Sequence, residues 1–429
     1  MNSRFKYFVV STSTCLVLLL LAGAVRGRSA SPDDTYRHLA VYTEVLSRIK
    51  SDYVEEPDLK SVTLGAVNGL LESIDPYASY LNADQYQKYL KSKGEPKPSV
   101  GLVLSKKFGY VGIVDSIPGS PAAKAGLTTG DVIESINGVA TRDMPLAFAD
   151  ILLEGEAGST VEIGILRARK PEPTKIKLIR EVIHYPAVEA KMAQDSVGVI
   201  TVSSLAGGEM RQVAEKIADL QKQGAKKLIL DLRNCATGSP EQGIALANLF
   251  LDKGLITYTQ GQKDPRKDFD AQPGKAVWHD GLVVITDRGT ADGAEVAAAA
   301  LEGNKRGEVV GERTYGDAAV RKAITMDDGA AVILSVAKYY SPGNKAIQDT
   351  GVTPTVAMLE TQAADLDQDN TTPETAQQPK SSEDKLLEKA IDVALHGNHE
   401  VADKGLTNRT NDNNGKVLTP LNVPEPEQH

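Results

Sequence analysis

From Val197 to Val336 the chain repeats one alternation, a short apolar run followed by a small-residue or amphipathic helical stretch. Few folds satisfy it. Val197-Gly198-Val199-Ile200-Thr201-Val202, Lys227-Leu228-Ile229-Leu230-Asp231-Leu232 and Leu282-Val283-Val284-Ile285-Thr286 have the length and β-branched content of strands. Met210 to Lys222, Gly243 to Phe250 and Glu295 to Leu301 carry helical patterning, and Val332-Ile333-Leu334-Ser335-Val336 closes the set. Strands alternating with helices imply an α/β core whose sheet is covered by helices.

The preceding sequence has a different texture. Tyr36 to about Leu90 reads as helical, with Leu39, Tyr42, Val45, Leu46 and Ile49 at three- and four-residue steps. A second helical stretch, Val62 to Ser73, ends at Ile74-Asp75-Pro76, because proline disfavours the α conformation of the residue before it. A polar linker, Lys91 to Pro98, leads into short β-type runs between Ser99 and Arg180. The expected division is an export segment over 1–30, a helical cap over 31–95, a β module over 96–182 and the α/β core over 183–359. Residues 360–385 lack apolar periodicity and read as a disordered linker. One short amphipathic helix over 386–400 and a polar, disordered tail over 401–429 complete the chain.

Arg4 and Lys6 precede an apolar run from Phe8 to Val25 that includes the small residues Ala22 and Ala24, the layout of a secretory signal. The run, residues 8–25, is also just long enough for a single membrane anchor. Either way the expected location is the periplasm or cell envelope, with anchoring to the inner membrane as the alternative to cleavage. A formal charge of −9 argues against a nucleic-acid partner. Two cysteines, Cys15 and Cys235, cannot build a disulfide framework or a cysteine zinc site, and no HExxH pair occurs. No metal or cofactor is expected; His396 and His399 are assigned to a polar helix end.

In the β module, Val100-Gly101-Leu102-Val103-Leu104 and Val111-Gly112-Ile113-Val114 read as strands. They precede Ser120-Pro121-Ala122-Ala123-Lys124-Ala125-Gly126-Leu127 and Gly130-Asp131-Val132-Ile133-Glu134-Ser135-Ile136-Asn137-Gly138. This order resembles a PDZ domain of the bacterial protease-linked type. The resemblance implies that a peptide adds as an extra strand, its terminal carboxylate taken by backbone N–H groups near Val100, Gly101, Leu102 and Val103. A glycine there lets the backbone come close to the ligand. The implied partners are protein C-terminal tails or unfolded polypeptides.

Four further stretches widen the likeness: Leu71-Glu72-Ser73-Ile74-Asp75-Pro76-Tyr77-Ala78-Ser79-Tyr80, Leu230-Asp231-Leu232-Arg233-Asn234, Val309-Val310-Gly311-Glu312-Arg313-Thr314-Tyr315-Gly316 and Tyr339-Tyr340-Ser341-Pro342. With the order of cap, PDZ module and α/β core, the chain resembles the C-terminal processing peptidases, or tail-specific proteases. The resemblance implies a multidomain α/β fold: a helical N-terminal cap, a PDZ β-barrel-like module and a peptidase-like core of the tail-specific protease/crotonase-like type. It also implies a serine nucleophile in a SASASE-like turn, a lysine base 25 positions later, and a glutamine four residues beyond. In this chain those positions read Asp292, Asp317 and Arg321. The glycine-rich turn resembling an oxyanion hole reads Asn234-Cys235-Ala236-Thr237-Gly238.

A carboxylate is a poor acyl nucleophile toward peptide bonds, and Asp317 cannot supply the desolvated neutral amine that a lysine base offers. Exchanging a cation for an anion beside a developing oxyanion works against its stabilisation. The expectation is an exported pseudopeptidase that holds C-terminal tails through its PDZ module as adaptor, scaffold or regulator. The alternative is a serine-type endopeptidase acting by a variant mechanism. Ser203, Ser204 and Ser239 offer replacement hydroxyls but lack a lysine at the required offset. Asp292 with Glu295 also fits a capping box on the alanine-rich helix, and Asp317 with Arg321 fits a solvated charge pair. If Asp292 and Asp317 meet, they would share a proton or bind a hard cation with Glu295. Cys235 carries a redox reading and an ordinary one, a small buried hydrophobe.

Overall fold

The computed structural model describes residues 32–92, 97–107, 109–167, 172–194, 196–207, 209–358 and 384–397. The export segment, the 360–383 part of the linker and the tail from 398 lie outside the described residues. No helix among the described residues is long and apolar enough to cross a membrane.

Two compact units divide the chain, Met1–Ile74 and Asp75–His429. In the first, α1 (Pro32–Asp52) is followed by α2 (Leu59–Glu72). Asp58 caps α2, its carboxylate accepting from Lys60 N–H at 3.0 Å and from the Ser61 hydroxyl at 2.6 Å.

The second unit opens with β1 (Ser79–Leu81) and α3 (Ala83–Ser92). Helical periodicity therefore breaks at Ser79-Tyr80-Leu81, where the sequence reading continued the helix. The reason is tertiary: these residues pair antiparallel with a distant strand, Ser79 opposite Ile333.

The PDZ module follows as β2 (Leu102–Lys107), β3 (Tyr110–Ser116), α4 (Pro121–Lys124), β4 (Val132–Ile136), β5 (Val139–Ala140), α5 (Leu146–Leu153), β6 (Thr160–Leu166) and β7 (Thr174–Ile179). Its sheet runs β2-β3-β4-β6-β7, with β5 pairing β4, so β2 is an edge. Val111, Ile133, Ile163 and Leu127 fill its core.

The α/β core comprises β8 (Glu189–Met192), β9 (Val197–Thr201), α6 (Glu209–Lys222), β10 (Lys227–Asp231), α7 (Pro240–Asn248), β11 (Leu255–Gln260), β12 (Lys267–Asp270), β13 (Gly281–Thr286), α8 (Gly293–Gly303), β14 (Glu308–Gly311), β15 (Ala319–Thr325), β16 (Ala331–Tyr340), β17 (Val356–Ala357) and α9 (Lys385–His396). The central sheet runs β17-β14-β13-β10-β9-β8, parallel except for the β8–β9 pair. Alternation along its strands sends side chains to two faces. Leu228, Leu230, Leu282 and Val284 face a core shared with α6, α7 and α8. Ile229, Val283, Ile285 and Val310 face Leu386, Ala390, Ile391 and Val393 of α9.

Two expectations change here. The helix read as an appendage after a linker covers the second face of the sheet, because strands apolar on both sides need two layers of cover. Val332 to Val336, read as the last strand of the alternating set, belongs to β16 in a separate antiparallel sheet with β1, β11, β12 and β15.

Candidate functional site

The loop after β10 and the turn after β13 are locked to each other by one buried carboxylate. Asp287 Oδ1 accepts from the N–H groups of Asn234 and Gly289 and from the Thr290 hydroxyl, each at 3.0 Å. A side chain at Gly289 would place its Cβ 2.7 Å from Asn234 Oδ1 and 3.1 Å from Asn234 Cα, so only glycine allows this approach. The Ala291 N–H then donates to the Cys235 carbonyl at 3.0 Å. Asp287 went unremarked in the sequence; only the conjunction of two distant turns gives it a role.

From this lock the chain swings into Asp292, whose φ is +51° and ψ −119°. That conformation is costly for any residue with a Cβ, by about 1–3 kcal/mol. It is also not the extended backbone that an N-cap residue usually adopts. The capping-box reading holds: Glu295 Oε2 accepts from the Asp292 N–H at 3.2 Å, and the Asp292 side chain faces the Glu295 backbone N–H in return. Capping alone does not explain the backbone, because a cap needs no strained strand-to-helix elbow of the kind that presents a nucleophile.

Glu295 itself is completely buried. Besides Asp292, it accepts from Gly316 N–H at 2.6 Å, from Asp317 N–H at 2.7 Å and from the Thr314 hydroxyl. One carboxyl on the first turn of α8 thus holds both the 292 turn and the 314–317 turn. Burial pushes it up to about 8, against the pull of the Thr314 hydroxyl and the two N–H groups.

Asp317 forms an ion pair with Arg321 NH2. The side chains are only 20% and 27% exposed, so the expected solvated pair is instead a largely enclosed one. A register shift between Val320 and Arg321 in the β15–β16 pairing sits beside it, the kind of irregularity that re-aims a side chain. The Arg321 guanidinium lies 4.2 Å from the Tyr77 ring centroid. Tyr77 is set by Asp75, whose carboxylate accepts from Tyr77 N–H at 2.8 Å and from Ser335 N–H at 3.2 Å.

The positions Asp292, Asp317 and Arg321 are therefore brought together. Burial and then the Asp317 charge hold the Asp292 carboxyl well above the usual carboxylate range, with Arg321 opposing. Asp317 is raised by burial against the same arginine. Burial acts to lower the Arg321 guanidinium, but Asp317 outweighs it and the net shift is upward.

The expected oxyanion turn lies alongside. A Cβ on Gly293 would sit 2.4 Å from the Ser239 carbonyl oxygen, which places the 237–239 turn against the start of α8. No group among the described residues accepts from the N–H groups of Thr237, Gly238 or Gly293. These donors suit a carbonyl or carboxylate oxygen, and the side chains beside them at 292 and 317 are acids.

The remaining candidates resolve into structural roles. Ser204 Oγ accepts from the Thr237 hydroxyl at 2.9 Å, and the Ser239 N–H donates to Gln242 Oε1 at 2.6 Å at the start of α7. Neither serine has a lysine partner among the described residues. Cys235 is fully buried in the main apolar core, which favours the small-hydrophobe reading over redox chemistry. The hard-cation reading fails on donor supply: the Glu295 carboxyl already accepts four hydrogen bonds, and no group of three or more ligating side chains among the described residues is disposed to hold a metal.

At the PDZ module, Val100 is fully buried and Gly101 has φ +76°. A Cβ at Gly101 would fall 2.3 Å from Ser120 Cβ, so this loop requires glycine. Leu102 begins the edge strand beside α5. Val103 differs from expectation: its side chain turns away to pack with Val114, Ala236, Ala291 and Tyr315. Alternation along β2 is the cause. The contact seats the PDZ sheet directly on the 236 and 291 turns.

The PDZ domain pattern matches residues 112–167 and that of peptidase family S41 matches residues 196–358. Fold and turns thus define an S41-type α/β core joined to a PDZ module. The chain is 31% identical over 368 residues to the carboxy-terminal processing protease CtpA of Bacillus subtilis (strain 168), covering 83% of this chain and 78% of that one. It is 31% identical over 330 residues to a carboxyl-terminal-processing protease of Synechocystis sp. (strain ATCC 27184 / PCC 6803 / Kazusa), covering 75% and 76%. Among solved structures, the photosystem II D1 C-terminal processing protease superposes with a TM-score of 0.62 at 26% identity, over 74% of this chain and 86% of that one. The chain belongs to the carboxy-terminal processing protease family.

Proposed function

We propose that this chain is a pseudopeptidase of its family, exported to the periplasm or cell envelope, that binds C-terminal tails of other polypeptides without cutting them. The observation that carries the reading is the Asp292–Asp317–Arg321 arrangement. Hydrolysis through this scaffold takes a hydroxyl beside an uncharged amine. Here Asp317 is committed to Arg321, and burial and the neighbouring Asp317 charge hold the Asp292 carboxyl well above the usual carboxylate range. Neither carboxyl offers the hydroxyl or the neutral amine that a nucleophile–base pair needs, and loss of either partner removes most of the benefit of both.

Support for binding comes from the other half of the molecule. The edge strand β2, the glycine loop at Gly101 and the unused Val100 N–H are what strand addition by a tail requires. Support for export is confined to Arg4, Lys6 and the apolar run over 8–25.

The test uses purified chain and a polypeptide with an apolar C-terminal tail. The expected result is no turnover at neutral or acidic pH, with tail affinity that falls when the terminus is amidated. Turnover that disappears in Asp292→Ala or Asp317→Ala would overturn the reading. Fractionation of cells that make the full chain tests export, and recovery in the cytoplasm would count against it.

A further inference from the structure

The groove between the β2 edge and α5 carries charge that tail capture alone does not require. It encloses about 300 Å³, walled by Val100 and Leu102 on one side, Asp150, Leu153 and Glu154 on the other, and Tyr89 at the end of α3. Val100 is fully buried, and no group among the described residues accepts from its N–H, so a donor stands ready at the loop. A tail added to β2 would bring its terminal carboxylate there and turn alternate side chains into the groove.

Asp150 and Glu154 are four residues apart on and just past α5, one helical turn, and so project on the same side. Neither carboxylate makes a hydrogen bond or ion pair among the described residues. Burial and then the charge of Glu154 push Asp150 up to about 7, with no opposing cation among the described residues, while burial raises Glu154 and Lys97 offsets part of that. A neutral tail would cover these acids without giving them a partner, and an acidic tail would add repulsion. A basic side chain near the end of the tail meets both.

We infer that the groove selects C-terminal tails that carry a lysine or arginine within their last four residues, with Asp150 and Glu154 as the groups that read it. The inference rests on the tail-binding reading above and adds a partner class to it.

The experiment is fluorescence anisotropy on the full chain with labelled peptides that end in an apolar residue. Lysine, alanine or glutamate is placed at each of the three preceding positions, with free and amidated termini, at about 50 mM salt. The best lysine peptide should bind about five- to tenfold more tightly than its alanine counterpart, and the glutamate peptide more weakly. Asp150→Asn and Glu154→Gln should each reduce the preference, and the double variant should abolish it. These side chains are partly exposed and unpartnered, so folding is not at stake. Equal affinity for lysine, alanine and glutamate tails, with amidation still weakening all of them, overturns the selectivity and leaves tail binding standing. A preference that survives in the double variant removes these two carboxylates from the explanation. If no free-carboxylate tail binds, the tail-binding reading fails and the selectivity falls with it.

Discussion

Glu295→Gln isolates the carboxyl that ties the 292 and 317 turns together. The substitution keeps shape and volume but exchanges one acceptor oxygen for an NH2 group. Glu295 accepts from four groups, two per oxygen, so the amide either loses the Gly316 N–H and forces Thr314 to reverse its role, or loses the N–H groups of both Asp292 and Asp317. Orphaned buried donors cost about 1–3 kcal/mol each. Against this stands the penalty of burying an acid, which the amide escapes. A carboxyl moved from 4.5 in an open chain to about 8 in the fold binds a proton that the unfolded chain releases. Its contribution to stability is intact below 4.5 and lost as pH rises through 8, at about 1.4 kcal/mol per pH unit. Between pH 5 and pH 8 the wild-type chain should therefore lose roughly 3 kcal/mol through this group, and the variant should not. Urea unfolding at several pH values reads the difference directly. At pH 5 the variant should be less stable by about 2–4 kcal/mol, and at pH 8 the two curves should converge. Asp292 and Asp317 are also raised by burial, so the variant keeps part of the downward slope. Parallel stability–pH curves for the two proteins would refute the assignment of a raised, hydrogen-bond-collecting carboxyl at Glu295.

Two other perturbations probe the catalytic and packing arguments. On the proposed reading, Asp292→Ser, Asp317→Lys and Arg321→Gln together should produce peptidase turnover of a tailed substrate, whereas each alone should produce none, because nucleophile and base act as a unit; an inactive but folded triple variant would show that these three side chains alone do not account for the absence of turnover. Leu386→Ala, at a position 2% exposed between α9 and the central sheet, should cost about 2–4 kcal/mol by urea unfolding, and a loss under about 1 kcal/mol would mean that α9 does not cover that face.

The α/β core was legible because its strands announce themselves. Lys227-Leu228-Ile229-Leu230-Asp231-Leu232 is apolar at consecutive positions, and it forms β10 in the interior of the sheet. The same run implies cover on both faces, but the helix that supplies the second face lies more than 150 residues away, across a stretch with no patterning, and nothing local links Leu386 to Ile229. Its attachment rests on a charge relay that only folding creates. Arg233 NH2 meets Asp231 at 2.7 Å and Asp384 at 2.8 Å, and Lys227 Nζ donates to the Leu395 carbonyl at 2.8 Å. Likewise, Ser79-Tyr80-Leu81 carries no strand signal strong enough to interrupt a helical reading. Its partner strand, β16, supplies the reason from 250 residues downstream.

At the site, identity was legible and geometry was not. The 25-residue offset implied by the resemblance located Asp292 and Asp317, but from sequence a capping box was the favoured account of Asp292 and a solvated ion pair sufficed for Asp317. Backbone strain separates the readings. A helix start selected only for capping would relax Asp292 toward the extended conformation that most caps adopt, and nothing local opposes that relaxation, since the residue after it is glycine. The elbow persists because Asp287, Gly289 and Glu295 fix both its ends. Beside this elbow, the N–H groups of Thr237, Gly238 and Gly293 have no acceptor among the described residues. On the proposed reading, the elbow presents an acid at 292, opposite an Asp317 carboxylate paired with Arg321. The PDZ sheet, packed through Val103 and Val114 against Ala236 and Ala291, rests on those same turns.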